Sequence, residues 1–244
     1  MNPAIALATA RRVLQQLRHD PRTIALLLVV PSGLMTLLRY VYDGSPQIFD
    51  SIGLSLLGIF PFVTMFLITS VAMLRERTTG TLERLFTTRL AKLDLLVGYA
   101  LAFAVTTCVQ VGVVCLIAFG WLGLSAPAGV GWVMLLALAS ALLGMALGLF
   151  VSAFARTEFQ AVQFLPAVVL PQFLLCGLLT PRSQMVDVLR WVSNVLPMSY
   201  AVEGLAQVRQ GSVNGVLVRD LLVVIGCIVA ALALGAATLR RRTS

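Results

Sequence analysis

The chain has 244 residues, of which 59% are hydrophobic and only 11% charged, with a formal charge of +8. A soluble domain needs a charged skin, so this composition belongs to the membrane class. No interval between its apolar runs can hold a conventional domain of roughly 100 residues; a single membrane domain over residues 1–244, without an enzymatic appendage, is expected.

Residues 1–22 carry Ala4, Ile5, Ala8, Val13, Leu14 and Leu17 interrupted by Arg11, Arg12 and Arg18. Charges in the middle and no small-residue cleavage site argue against a signal peptide and for an amphipathic helix on the cytoplasmic surface. The first span is predicted over 24–42. Its uncharged core ends at Leu38, and 15 residues rise only about 22 Å against about 30 Å of hydrocarbon. Arg39 must therefore snorkel outward, beside Tyr40 and Tyr42 at the outer interface, and Pro31 is expected to kink the helix. Residues 43–50 read as an outer loop, and 51–74 as the second span.

The densest charge cluster follows, RERTTGTLERLFTTRL over 75–90. It divides at Gly80. Beyond it, Gly80 or Thr81 can cap a helix with Glu83 answering its first N–H groups, and Leu82, Leu85, Phe86 and Leu90 recur at helical spacing with Glu83, Arg84 and Arg89 on other flanks. A helix of about ten residues is marginal alone. On periodicity its partner is either lipid headgroups or a groove on another protein.

The third span is predicted over 93–122, followed by an outer turn through Ser125, Pro127 and Gly129 that Trp121 and Trp132 bracket at the interface. The fourth, 131–154, spaces Ser140, Gly144, Gly148 and Ser152 four residues apart, a small-residue ridge suited either to close helix packing or to a substrate groove. Arg156 and Glu158 make a minimal cytoplasmic turn. The fifth span, 159–180, carries Pro166 and Pro171 and should be irregular. Its Gln160, Gln163 and Gln172 need protein or water around them, as packing contacts or as a lining.

Residues 181–211 are too charged and interrupted to span. Met185, Val188, Leu189 and Val192 recur at helical spacing, Pro197 breaks the segment, and a second helix could start with Ser199 as N-cap and end near Gly211 as C′. A re-entrant pair of short helices in the outer leaflet fits this pattern. The last span runs from Leu217 or Leu221 to about Leu239, ahead of Arg240, Arg241 and Arg242.

The fold expected is all-α and integral to the membrane: six transmembrane helices, an N-terminal interfacial helix, a cytoplasmic helix in 75–90 and the outer pair in 181–211. In this layout one side carries thirteen of the eighteen basic residues with five acidic ones, and the other five of each. That asymmetry makes the basic side, with both termini, cytoplasmic, and gives the +8 to lipid rather than nucleic acid. Lys92, the single lysine, stands between Ala91 and Leu93, outside any Gly-Lys-Ser/Thr element, so these residues hold no P-loop. The four cysteines lie in apolar runs without C-x-x-C spacing, which points away from metal and disulfides. No Ser/His pair or acidic dyad lies within a span, and His19 precedes the first; an intramembrane enzyme is disfavoured. Spans essentially without ionisable groups also disfavour a proton-driven carrier.

The stretch ERTTGTLERLFTTRLAKLDLLVGYALA closely resembles the cytoplasmic coupling segment of ATP-binding-cassette exporter permeases of the second class, the daunorubicin-resistance and polysaccharide-export group. The family pattern E-R-x-x-G-T-L-E-x-L-x-T-T-P is matched at Glu76, Arg77, Gly80, Thr81, Leu82, Glu83, Leu85, Thr87 and Thr88; Arg89 replaces its proline, and Tyr99 stands where lysine is common. A second stretch, LPMSYAVEGLAQVRQG, is similar to the family's L-P-x-[ST]-[YH]-x-x-[DE] element at Leu196, Pro197, Ser199, Tyr200, Glu203 and Leu205, with Ala206 in place of the usual arginine or glutamine. The resemblance implies a bacterial inner-membrane permease that binds no cofactor itself. A separate ABC ATPase subunit would bind ATP and Mg and seat Leu82, Leu85 and Phe86 in a groove, with Glu76, Arg77, Glu83 and Arg84 at its rim. A second permease subunit, identical or related, would complete the path. It further implies export of a drug or lipid-like amphiphile, or of a polysaccharide or glycolipid, with Phe60, Met65, Phe66, Gln163 and Gln172 along the path.

Overall fold

The computed structural model describes residues 3–78 and 92–238. Among them are nine α-helices and no strand: α1 (Pro3–Arg18), α2 (Pro21–Val41), α3 (Pro46–Thr78), α4 (Lys92–Gly120), α5 (Val130–Val151), α6 (Glu158–Leu175), α7 (Asp187–Val195), α8 (Pro197–Arg209) and α9 (Gly215–Thr238). A 3-10 turn, Arg182–Gln184, precedes α7. The six segments Pro21–Val41, Pro46–Thr78, Asp94–Gly120, Val130–Val151, Glu158–Leu175 and Gly215–Thr238 are long and apolar enough to cross a bilayer, so the chain is a multi-pass membrane protein.

The helix starts follow from local chemistry. Asp20 caps α2, its Oδ1 accepting from the Thr23 N–H at 3.2 Å and its Oδ2 from the Thr23 hydroxyl at 2.6 Å, while Pro21 occupies a first-turn position that needs no donor. Thr157 caps α6 through the Gln160 N–H at 3.2 Å. Gly211, at φ +73°, terminates α8 in the left-handed region.

Helices α3 and α5 form the centre: 67% of the most apolar window of each is buried, against 17% for α6 and α9. Between helices in lipid, close packing replaces the hydrophobic effect as the attraction. A Cβ on Gly144 would fall on the Phe62 carbonyl, and one on Gly148 on the Thr69 hydroxyl and the Phe66 carbonyl. Ser140 and Ser152, which complete the four-residue spacing, are buried and turn their hydroxyls back to Leu136 and Leu149 carbonyls. The amphipathic α1 lies across α4, where a Cβ on Gly98 would come within 2.8 Å of the Ala6 carbonyl.

Several boundaries differ from the sequence reading. Helix α3 begins at Pro46, so the outer loop is confined to residues 42–45; proline at a helix start forgoes only a donor that had no partner. Helix α6 runs without a break through Pro166 and Pro171 and ends at Leu175. Ser199 does not cap α8: Leu196 is its N-cap, Pro197 sets the first turn, and Ser199 is buried inside the helix. Helix α9 starts at Gly215, which brings Arg219 and Asp220 into its opening turns and buries Asp220 completely. Arg39 turns toward the loop that follows α2. It donates to Asp43 at 2.9 Å and to the Leu122 carbonyl at 3.3 Å, and it lies 5.6 Å over the Phe49 ring.

Candidate functional site

Three consecutive residues at the C-terminal end of α3 reach three different parts of the molecule. Arg75 donates to both carboxylate oxygens of Glu158, at 2.7 and 3.1 Å, at the start of α6. Glu76 accepts from Arg12 of α1 at 3.4 Å; the same guanidinium nitrogen donates to the Tyr99 hydroxyl of α4 at 2.9 Å. Arg77 donates to the Ser152 carbonyl at 2.8 Å, at the C-cap of α5. Successive helical residues lie about 100° apart around the axis, which is why neighbours in sequence can hold three separate helices.

These contacts differ in weight. The Arg75–Glu158 pair is more than half exposed on both sides, and such a pair contributes at most about 1 kcal/mol. Glu76 and Tyr99 are buried, at 9% and 1% exposure, so the carboxylate depends on Arg12 for its charge partner. Removing one partner of a buried charged hydrogen bond costs about 1–3 kcal/mol or more. Tyr99 takes the place of the lysine common in the resembling permeases: its hydroxyl accepts from Arg12, so the cation at this junction comes from α1.

The remaining residues of the predicted coupling segment, Gly80, Thr81, Leu82, Glu83, Arg84, Leu85 and Phe86, lie outside the described residues. The anchored end of α3 leads directly into them, and α4 resumes at Lys92.

A second cluster lies at the other end of the helices. Arg182 donates to Glu203 of α8 and to the Asn194 side chain of α7, and its guanidinium lies 5.3 Å over the Tyr200 ring. Tyr200 in turn donates to the Asn194 carbonyl at 2.7 Å. Ser199 and Ser193 hydroxyls are 3.0 Å apart, and Ser193 donates to the Leu175 carbonyl at 2.8 Å, which ties the α7–α8 junction formed at Pro197 to the end of α6. Arg219 donates to Asp220 at 2.7 Å beside this cluster. Asn194, Arg182 and Asp220 were not legible as a set, because residues from 182 to 220 meet only when α7, α8 and α9 fold together.

The five residues assigned to a path do not share one wall within the chain. Met65 and Phe66 are fully buried in the interior and Phe60 is half-buried. Gln163 is exposed in a recess with Phe154, Arg156 and Gln160. Gln172 is buried, donating to the Val168 carbonyl at 3.3 Å and accepting from the Met198 N–H at 3.4 Å. The cysteines are free, and no metal-binding group of His, Cys, Asp and Glu occurs among the described residues.

Over residues 4–208 the sequence matches the family profile of the ABC-2 type transporter. The chain belongs to that family. ABC-2 membrane domains are permease components of ABC transporters, and the match runs from α1 through the anchored end of α3 to α8. Two curated relatives come from Dictyostelium discoideum. ABC transporter G family member 20 is 29% identical over 160 residues, 65% of this chain and 22% of its own length. ABC transporter G family member 23 is 24% identical over 152 residues, 62% of this chain and 20% of its own. The chain thus spans about a fifth of each relative.

Proposed function

We propose that this chain is the membrane-spanning permease of an ATP-driven exporter that moves a hydrophobic or amphiphilic molecule outward. A separate ABC ATPase subunit binds ATP and Mg and docks on the segment 75–90, with Leu82, Leu85 and Phe86 in its groove. The observation that carries this reading is the divergence of Arg75, Glu76 and Arg77 onto α6, α1 with α4, and α5: a displacement applied to the segment they precede enters the whole helix set at one point. The charge asymmetry supports a cytoplasmic location for that end and for both termini, in a bacterial inner membrane. A second permease subunit covers the sparsely buried faces of α2 and α6, and Phe60 and Gln163 contribute to the path between the two. Co-expression with its ATPase tests the assignment. Leu85→Asp and Phe86→Asp are expected to abolish co-purification and permease-stimulated hydrolysis, and transport unchanged in those variants would rule out the docking role.

A further inference from the structure

A recess of about 380 Å³ lies at the turn from α5 into α6, lined by Phe154, Arg156, Gln160, Gln163, Phe164 and Ala167. Volumes of about 300–1,000 Å³ are usual for small-molecule sites. The last four residues stand at i, i+3, i+4 and i+7, so they form one stripe of α6. From Glu158 to Ala167 the helix rises about 14 Å, half of the roughly 30 Å hydrocarbon layer. The recess thus starts at the polar end of the helix and reaches the depth of about one leaflet. Phe159, on the face given to the second subunit, stands one residue before Gln160 and so about 100° around the axis from this stripe.

The polar groups of the recess are free to bind. Around them, Glu158 is taken up by Arg75 through two hydrogen bonds, Glu76 by Arg12, and Arg77 by the Ser152 carbonyl. The Arg156 side chain is exposed and makes no hydrogen bond or ion pair among the described residues; its backbone N–H donates to Gln160 Oε1 at 2.9 Å. That bond occupies the Gln160 carboxamide oxygen and leaves its NH2 group to donate. Gln163 is also exposed, with no hydrogen bond among the described residues. A carboxamide on a spanning helix is costly in hydrocarbon unless something polar meets it. The remaining wall is apolar, with Phe154 58% exposed and Phe164 half-buried, and no carboxylate lines it. An unpaired cation, two carboxamides and two phenyl rings suit a molecule with an anionic group on an apolar body.

We propose that the recess is an entry subsite and that the exported amphiphile is an anion. Its carboxylate, sulfate or phosphate meets the Arg156 guanidinium and the Gln160 NH2 group, and its apolar body runs along Phe164 toward Ala167. This assignment of substrate class rests on the exporter reading above.

Photo-crosslinking of the full chain in phosphatidylcholine vesicles tests it, with diazirine-bearing palmitate and the matching diazirine-bearing hexadecanol as probes and no ATPase present. Palmitate is expected to label α6 several-fold more than the alcohol. Arg156→Gln, at an exposed side chain with no partner to lose, should bring the two probes level, and Arg156→Lys should keep the preference. Added phosphatidylglycerol separates the sources of the anion: a preference that survives it belongs to the amphiphile, and one that it abolishes makes the recess a site for bulk anionic lipid and overturns the proposal. Equal labelling of α6 by both probes in the unaltered chain, or a preference untouched in Arg156→Gln, would overturn it as well. Leu85→Asp should leave the labelling intact while it removes permease-stimulated hydrolysis, so a failed docking assignment and a failed subsite give different results.

Discussion

Glu76 holds a buried carboxylate whose charge is met by one arginine from a helix 64 positions earlier in the chain. Arg12→Leu leaves that carboxylate unpaired and should destabilise the chain by about 1–3 kcal/mol, read as a lower melting temperature in detergent. Glu76→Gln keeps an acceptor and should cost less, so the order of the two melting temperatures separates a charge contribution from a packing one. Glu158→Gln, at an exposed pair, should shift stability by less than about 1 kcal/mol. Asp20 acts on the helix beside it. The Thr23 hydroxyl and amide hold its carboxyl below the usual carboxylate range. Its contribution is therefore present above the ordinary carboxylate pKa and lost as the pH falls through the lower folded value. Asp20→Ala should remove about 0.5–2 kcal/mol at neutral pH and flatten the acid limb of a stability profile. The sequence marks Glu76 and Arg77 by their charge among apolar runs. It cannot mark Arg12 as the partner of Glu76 or the Ser152 carbonyl as that of Arg77, because those contacts join positions brought together only in the folded bundle.

At the scale of elements, the four-residue spacing of Ser140, Gly144 and Gly148 could be read directly, and so could six apolar runs, since both are periodic properties of the chain. Which helix the ridge faces is a tertiary fact: the Phe62, Phe66 and Thr69 stretch of α3. Gly148→Leu places a side chain against backbone carbonyl and hydroxyl that cannot retreat within a helix, and should destabilise the α3–α5 pair by about 1–3 kcal/mol, measurable by thermal unfolding. Helix boundaries were less legible. Proline suits a first turn, so Pro46 could start α3 earlier than expected, and Ser199 passes into the body of α8 because its hydroxyl finds Ser193 and the Leu175 carbonyl there. The burial of Asp220 could not be read, because it borders the apolar run that begins at Leu221; only the start of α9 at Gly215 places it in a buried turn.

For the whole molecule, burial is uneven. Helices α3 and α5 are enclosed, whereas α2, α6 and α9 keep Leu37, Phe159, Leu174 and Val229 more than half exposed. Under the proposed function a second subunit meets the α6 face, and Phe159→Asp should then weaken assembly before it affects the melting of the isolated chain, as read by cross-linking in native membranes. Leu85→Asp, in the segment proposed to dock the ATPase, should remove permease-stimulated ATP hydrolysis, read on the co-expressed pair.

Helix α3 has 33 residues and is about 50 Å long, roughly 20 Å more than the hydrocarbon it crosses. One end carries Arg75, Glu76 and Arg77. At the other, Asp50 accepts from the Ser125 N–H at 3.0 Å and Ser51 accepts from Arg209 of α8. Its middle rests on Gly144 and Gly148. A beam supported at its centre behaves as a seesaw, so a tilt of about 10° moves each end by about 4 Å in opposite senses. A push on the Arg77 end would then be met at the Ser51 end by a displacement in the opposite sense, which Asp50 passes to the α4–α5 turn at Ser125.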